Sequence, residues 1–144
     1  MSYSTWHVYG YGICTDEINT TVERIEELLC KAPRFQSEIH NWFKENKITE
    51  PTVEDYEEYD QDYNGGLATI LQFVILEVEK IQFGYADDFN CNHFLVYEQC
   101  YPWQLTEREK DFDIEDVENI IKKYVSILTD QEIPVEFQSI ENGG

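Results

Sequence analysis

Glu54, Asp55, Glu57, Glu58, Asp60 and Asp62 put six carboxylates into nine residues, with Tyr56, Tyr59 and Tyr63 beside them and no base among them. Carboxylates at this density repel phosphate and attract lysine and arginine, and arginine can take a carboxylate through two parallel N–H donors. A helix over residues 54–62 would rise about 13.5 Å and carry roughly one charge per 2.2 Å. Duplex DNA carries about one per 1.7 Å of axis. The segment could therefore present a nucleic-acid-like potential to a basic groove. Tyr56, Tyr59 and Tyr63, at i, i+3 and i+7, share one helical face. They either border the patch as interface aromatics or pack the helix onto a core, leaving the carboxylates as a solvated face. Glu115, Asp116 and Glu118 form a second acidic patch, in a stretch that also holds Glu107, Glu109, Asp111 and Asp113.

Other constellations suggest other chemistry and are less complete. Asp60, Asp62 and Asn64, followed by Gly65, match positions 1, 3, 5 and 6 of a calcium loop. Position 12, where a bidentate glutamate closes the shell, is Leu71. The same residues are ordinary turn formers. Cys91, His93 and Cys100 lie near Asp87 and Asp88, but zinc requires four converging ligands, usually in short paired spacings. Buried thiols and a surface histidine explain them as well. Cys14 has no histidine base in register, because His7 is seven residues away and faces the other side of a regular strand. Gly10-Tyr11-Gly12 lacks the third glycine and the strand-to-helix setting of a dinucleotide loop. No catalytic residue, metal or cofactor is assigned on these grounds.

The elements that must position these groups follow from periodicity. Thr5 to Thr15 reads as a strand, with Trp6, Val8, Tyr11 and Ile13 toward a core and a phase change near Gly10 that predicts a bulge. Asn19 or Thr20 is expected to cap a helix carrying Val22, Ile25, Leu28 and Leu29. Lys31-Ala32-Pro33 ends it, and a second helix carries Phe35, Ile39, Trp42 and Phe43. Thr52, three residues before Asp55, resembles a helix start. The acidic segment is expected to be a short helix, and Leu67 to Lys80 a central helix apolar on most faces. Residues 81–86 and 93–99 read as paired strands, Asp113 as the cap of a helix to about Leu128, and Pro134 to Ile140 as a last strand. This order predicts an α+β fold in one domain over residues 1–144: a small, mainly antiparallel sheet of about four strands covered by four or five helices.

Composition limits the class further. Thirty acidic residues against ten basic give a formal net charge of −20 on 144 residues, while 15% aromatic residues argue against disorder. The first residues lack a basic and apolar leader, and the apolar run from Leu67 to Val78 is broken by Thr69, Gln72 and Glu77. A cytoplasmic protein with reduced thiols is expected, without direct nucleic-acid or membrane binding.

Tyr9-Gly10-Tyr11-Gly12, Tyr85-Ala86-Asp87-Asp88-Phe89, Tyr101-Pro102-Trp103-Gln104-Leu105-Thr106-Glu107, the stretch from Lys123 to Asp130 and the ending Gln138-Ser139-Ile140-Glu141-Asn142-Gly143-Gly144 resemble small acidic proteins of phages and mobile elements in Gram-positive bacteria. That group brings no assigned catalytic residues. The resemblance implies a setting in which anti-CRISPR and anti-restriction inhibitors occur, and these are similar in size and charge. The expectation is a non-enzymatic mimic of nucleic acid that binds the basic channel of a bacterial defence enzyme such as an RNA-guided nuclease. Its partner-binding residues would be Glu54, Asp55, Tyr56, Glu57, Glu58, Tyr59, Asp60 and Asp62, with Glu115, Asp116 and Glu118. A calcium-responsive or other regulatory interaction module, with Asp60, Asp62 and Asn64 as ligands, is the first alternative. A metal-dependent hydrolase is the second.

Overall fold

A computed structural model describes residues 5–59, 66–87, 93–98 and 114–143. The chain opens with β1 (Thr5–Cys14) and a 3-10 turn (Thr15–Glu17), followed by α1 (Val22–Leu29), α2 (Pro33–Glu45), α3 (Val53–Glu57) and α4 (Leu67–Glu79). Then come β2 (Gly84–Asp87), β3 (His93–Glu98), α5 (Ile114–Leu128) and β4 (Glu136–Gly143). The strands lie in the order β2-β3-β1-β4 and every pair is antiparallel. The α+β class with a small antiparallel sheet is as expected.

The predicted bulge at Gly10 is absent. β1 runs in unbroken register against β4 from Thr5↔Gly143 to Gly12↔Glu136, and against β3 from Gly10↔Glu98 to Cys14↔Phe94. The glycines serve a close approach instead. A Cβ on Gly10 would stand 1.9 Å from the Tyr97 carbonyl oxygen, and one on Gly12 would stand 2.0 Å from that of Leu95.

Because facing residues of an antiparallel pair share a side, Ile13 with Leu95 and Tyr11 with Tyr97 form one face of the sheet. That face joins the main core, with α4 against β3 and α5 against β1. α4 is buried along much of its length, from Leu67 to Leu71 and again at Val74 and Ile75, as its nearly continuous apolar sequence requires. α1 packs on α5, and α2 packs on both α1 and α4. Phe35, Ile39 and Phe43 supply the buried stripe of α2.

Local chemistry sets the helix ends. Thr21, one residue later than expected, caps α1 by accepting from the Arg24 N–H at 3.3 Å. α2 has Pro33 in its first turn and no cap of its own. The carboxylate of Glu77 in α4 accepts instead from the backbone N–H groups of Arg34 and Phe35, at 3.1 and 2.9 Å. A negative group at a helix N-terminus satisfies free N–H groups and the helix dipole, an effect of about 0.5–2 kcal/mol. Glu79, 7% exposed, accepts from the Tyr124 hydroxyl at 2.5 Å and from Lys123 at 3.1 Å, tying the end of α4 to α5. Among the described residues, no helix is long and apolar enough to cross a membrane.

Candidate functional site: an acidic cleft beside a short helix

Thr52 starts α3. Its hydroxyl accepts from the Asp55 N–H at 3.3 Å, and the Asp55 carboxylate takes the Thr52 N–H at 2.8 Å. This reciprocal capping box is the expected helix start, and it occupies one of the expected partner-binding carboxylates. Tyr56 comes next and turns inward. It is 2% exposed, packs edge-to-face on Phe43 at 4.9 Å and donates its hydroxyl hydrogen bond to Glu26 of α1. With Asp55 and Tyr56 committed inside the fold, Glu54, Glu57 and Glu58 fall at i, i+3 and i+4 on the outer side.

α3 ends at Glu57, far short of the nine-residue helix the sequence suggested. Tyr59 is half-buried against Phe35 and Trp42, with ring centroids 5.6 and 5.5 Å away. A five-residue helix rises only about 7.5 Å, and α3 does not continue through Glu58 and Tyr59, so a single helix over 54–62 is not formed. A buried Tyr56 cannot border an interface, so it leaves the expected partner-binding set. Asp60, Asp62, Tyr63 and Asn64 lie outside the described residues.

Asp16, in the 3-10 turn after β1, faces Glu54 and Glu57 across a cleft. His93, at the start of β3, holds it in place. The Asp16 carboxylate accepts from the His93 backbone N–H at 2.5 Å and meets the His93 Nδ1 at 2.9 Å. The Thr15 hydroxyl, itself buried, donates to the His93 carbonyl at 3.2 Å. Ile18 and Leu67 complete the lining with apolar surface, and the cleft encloses about 280 Å³. Among the described residues, no lysine or arginine lines it. Among the described residues, Glu54, Glu57 and Glu58 form no ion pair.

The crowding appears in Glu57. Burial raises its carboxyl pKa, the charges of Asp16 and Glu54 raise it further, and Glu58 adds to them against the opposing effect of His93. A carboxyl raised in the fold weakens the fold as it ionises. The penalty is absent below the unfolded value of about 4.3 and complete once pH exceeds the raised folded value. Glu57→Gln is accordingly expected to raise thermal stability at pH 7 by a fraction of a kcal/mol, on the scale of partly exposed charge interactions. Melting curves at pH 7 and below pH 4 check this: the gain should vanish at the lower pH and shrink in high salt.

The second acidic patch is separate. Gln131, just past α5, donates to the Glu17 carbonyl at 3.2 Å and accepts from the Asn19 N–H at 2.8 Å, so this end of the helix adjoins the 3-10 turn. Glu115 lies about 20 Å away along α5. Glu115 is exposed, Asp116 is half-buried, and Glu118 pairs with Lys122 at 2.6 Å, which raises the lysine pKa. These residues do not extend the cleft, and the charge of Glu118 is already answered.

Leu71, at the calcium loop's twelfth position, is fully buried in α4 and offers no ligand. Among the described residues, no group of three His, Cys, Asp or Glu is arranged to hold a metal. Cys91 and Cys100 lie outside the described residues, and His93 is engaged with Asp16. The sequence reading passed over Asp16 and weighed His93 only beside Cys91. Nothing local marks that pair, which the fold brings together across 77 positions. Comparison with protein-family models, curated proteins and solved structures gives no match.

Proposed function

We propose that this chain is a non-enzymatic acidic binding protein whose cleft receives basic side chains from a nucleic-acid-binding protein. The most concrete partner is a bacterial defence enzyme such as an RNA-guided nuclease, held off its nucleic acid by competition. One observation carries this reading: Asp16, Glu54, Glu57 and Glu58 converge on one cleft that no described lysine or arginine lines, and burial together with the neighbouring charges raises the Glu57 pKa. Like charges held together with only a histidine among the described residues to oppose them lower the stability of the free protein, and perturbed carboxyls of this kind concentrate at functional sites. A partner's guanidinium would relieve the repulsion, pair with two carboxylate oxygens at once and rest its methylenes on Ile18 and Leu67.

The basic residues of the described chain lie elsewhere or are engaged. Arg24 pairs with Asp130 at 2.7 Å and Lys123 with Glu79 at 3.1 Å, while Lys31, Arg34, Lys44 and Lys47 lie on or beside the ends of α1 and α2. The resulting negative side favours rapid, salt-sensitive encounter with a basic surface. In this reading, nucleic-acid mimicry rests on charge and on individually seated basic side chains, in place of a helical row of phosphate-like groups.

Reversing the charge at three positions, Glu54→Lys, Glu57→Lys and Glu58→Lys together, tests the proposal. Binding to the basic partner should be lost, with the circular dichroism spectrum unchanged and the melting midpoint no lower than that of the parent. Undiminished binding by the folded triple variant would refute it.

A further inference from the structure

We propose that His93 makes the cleft pH-dependent: its imidazolium is a built-in cation that a basic partner must displace or neutralise to reach Asp16. The proposal rests on the cleft as the seat of basic side chains and adds a condition under which it is filled.

Three contacts fix residue 93 at the cleft wall. Its Nδ1 lies 2.9 Å from the Asp16 carboxylate, its backbone N–H donates to the same carboxylate, and its carbonyl accepts from the Thr15 hydroxyl. With a carboxylate as acceptor, Nδ1 carries a proton in both the neutral and the charged ring, and the proton that leaves is the one on Nε2. The contact therefore persists across the titration. What changes is the charge of the cleft, by one unit, and imidazole makes that change between about pH 5 and 8.

The charged groups around His93 are, among the described residues, acidic. Asp16 meets it from the 3-10 turn, and Glu54, Glu57 and Glu58 of α3 share the cleft with it. From β1 the Cys14 thiol donates to the Asp16 carboxylate at 3.9 Å. β2 places Asp87 opposite His93 in the strand register, and Gly66 and Leu67, at the start of α4, bring no charge. Burial and the charges of Asp16, Glu54 and Glu58 raise the Glu57 pKa, and His93 acts against them.

A partner's guanidinium and the imidazolium repel each other. At low pH the charged ring neutralises part of the cleft, and as pH rises and the proton leaves, the same carboxylates hold the guanidinium more tightly. Reciprocally, a bound guanidinium disfavours the imidazolium, so binding releases a proton. Ionisation of Glu57 acts in the same direction, and a variant at His93 separates the two.

The test titrates ¹⁵N-labelled protein at low salt with blocked tetra-arginine, whose guanidinium groups stay charged throughout, at pH 6 and pH 7.5. Wild-type protein is expected to bind it about fivefold more tightly at pH 7.5, at the low end of coupling between sites. His93→Gln keeps a donor toward Asp16 without the charge and should lose that difference. The His93 ring resonance of wild-type protein should titrate at lower pH with peptide bound than without it, while that of His40, which meets Glu26 of α1, should not move. An unmoved His93 titration with peptide in the cleft, or a pH dependence that persists in folded His93→Gln, overturns the proposal and leaves the cleft standing. Peptide that shifts no amide at Asp16 or Glu54–Glu58 at either pH overturns both.

Discussion

Gly12→Ala is expected to cost more than about 4 kcal/mol and to leave the chain largely unfolded. The new Cβ would lie 2.0 Å from the Leu95 carbonyl oxygen and 2.9 Å from the Val96 Cα, where real Cβ contacts essentially never fall below 3.0 Å. The obstacles are backbone, so no rotamer change can yield. Relief requires β1 and β3 to separate by about 1 Å, which breaks hydrogen bonds at the centre of the sheet. Losses of that size belong to a short list of mechanisms that includes overpacking, and they rival the whole stability of a small domain, about 5–15 kcal/mol. Gly10→Ala should behave alike, with 1.9 Å to the Tyr97 carbonyl oxygen. Amide dispersion in an NMR spectrum and the fraction of soluble protein check both. A native-like spectrum for either variant would show that the strands are not packed this closely.

Tyr56→Ala follows, with an expected loss of about 3–5 kcal/mol, the usual cost of emptying an aromatic site in a core. Tyr56 lies where α1, α2 and α3 meet. Its ring packs on Phe43, and its hydroxyl donates to Glu26, whose carboxylate also meets His40 at 2.8 Å and Gln36 at 3.2 Å. Tyr56→Phe, which keeps the ring, should cost only about 1–3 kcal/mol, the range for a hydrogen bond to a charged group. Urea titrations of the two variants separate packing from the hydroxyl.

The same cluster predicts a stability plateau. Burial raises the Glu26 pKa, but hydrogen bonds from Tyr56, His40 and Gln36 outweigh it, so the net value is lowered. A lowered carboxyl contributes stability that is present above about pH 4.3 and is lost as pH falls through the folded value. The Tyr56 pKa is raised, first by burial and then by the hydrogen bond and charge of Glu26. Its contribution is complete below about pH 10 and is lost as pH climbs through the folded value. Stability should therefore fall on both limbs, and Tyr56→Phe should flatten the alkaline one.

These effects separate folding from binding within one short segment. Tyr56 and Asp55 hold α3 in place, whereas Glu54, Glu57 and Glu58 are expected to be removable without loss of fold. The sequence showed the tyrosine spacing but left two uses open, interface or core. Periodicity reports that residues share a side and does not report which side is covered, so only the packing of Phe43, Phe35 and Trp42 decides. Pro33, read as ending α1, opens α2, whereas the α4 helix and the Thr52–Asp55 box were legible because each depends on residues within a turn or two. The cap from Glu77 to α2 was not, nor was Asp16 against His93, because both arise from contacts more than forty residues apart. The helix over 54–62 was over-extended for a related reason. Local propensity favoured continuing it, while Tyr59 packs on Phe35 and Trp42 of α2, contacts that no local pattern announces.

The same distinction explains how the charge should be read. A total of −20 is a property of composition, and it is equally compatible with a solvated surface. The fold divides the contributors: Asp55 is spent on a helix cap, Glu26, Glu77 and Glu79 on contacts between helices, and Glu118 on Lys122. Among the described residues, Glu54, Glu57 and Glu58 form no ion pair and share one cleft with Asp16, which meets His93.

The central claim is that this cleft is the contact for a basic partner. The most direct measurement is capture from a bacterial lysate at low salt on immobilised wild-type protein and on the Glu54→Lys, Glu57→Lys, Glu58→Lys variant, each eluted with rising salt. The account predicts that wild-type protein retains a basic nucleic-acid-binding protein that elutes as salt increases, and that the folded variant retains none. Equal retention by both proteins would contradict it.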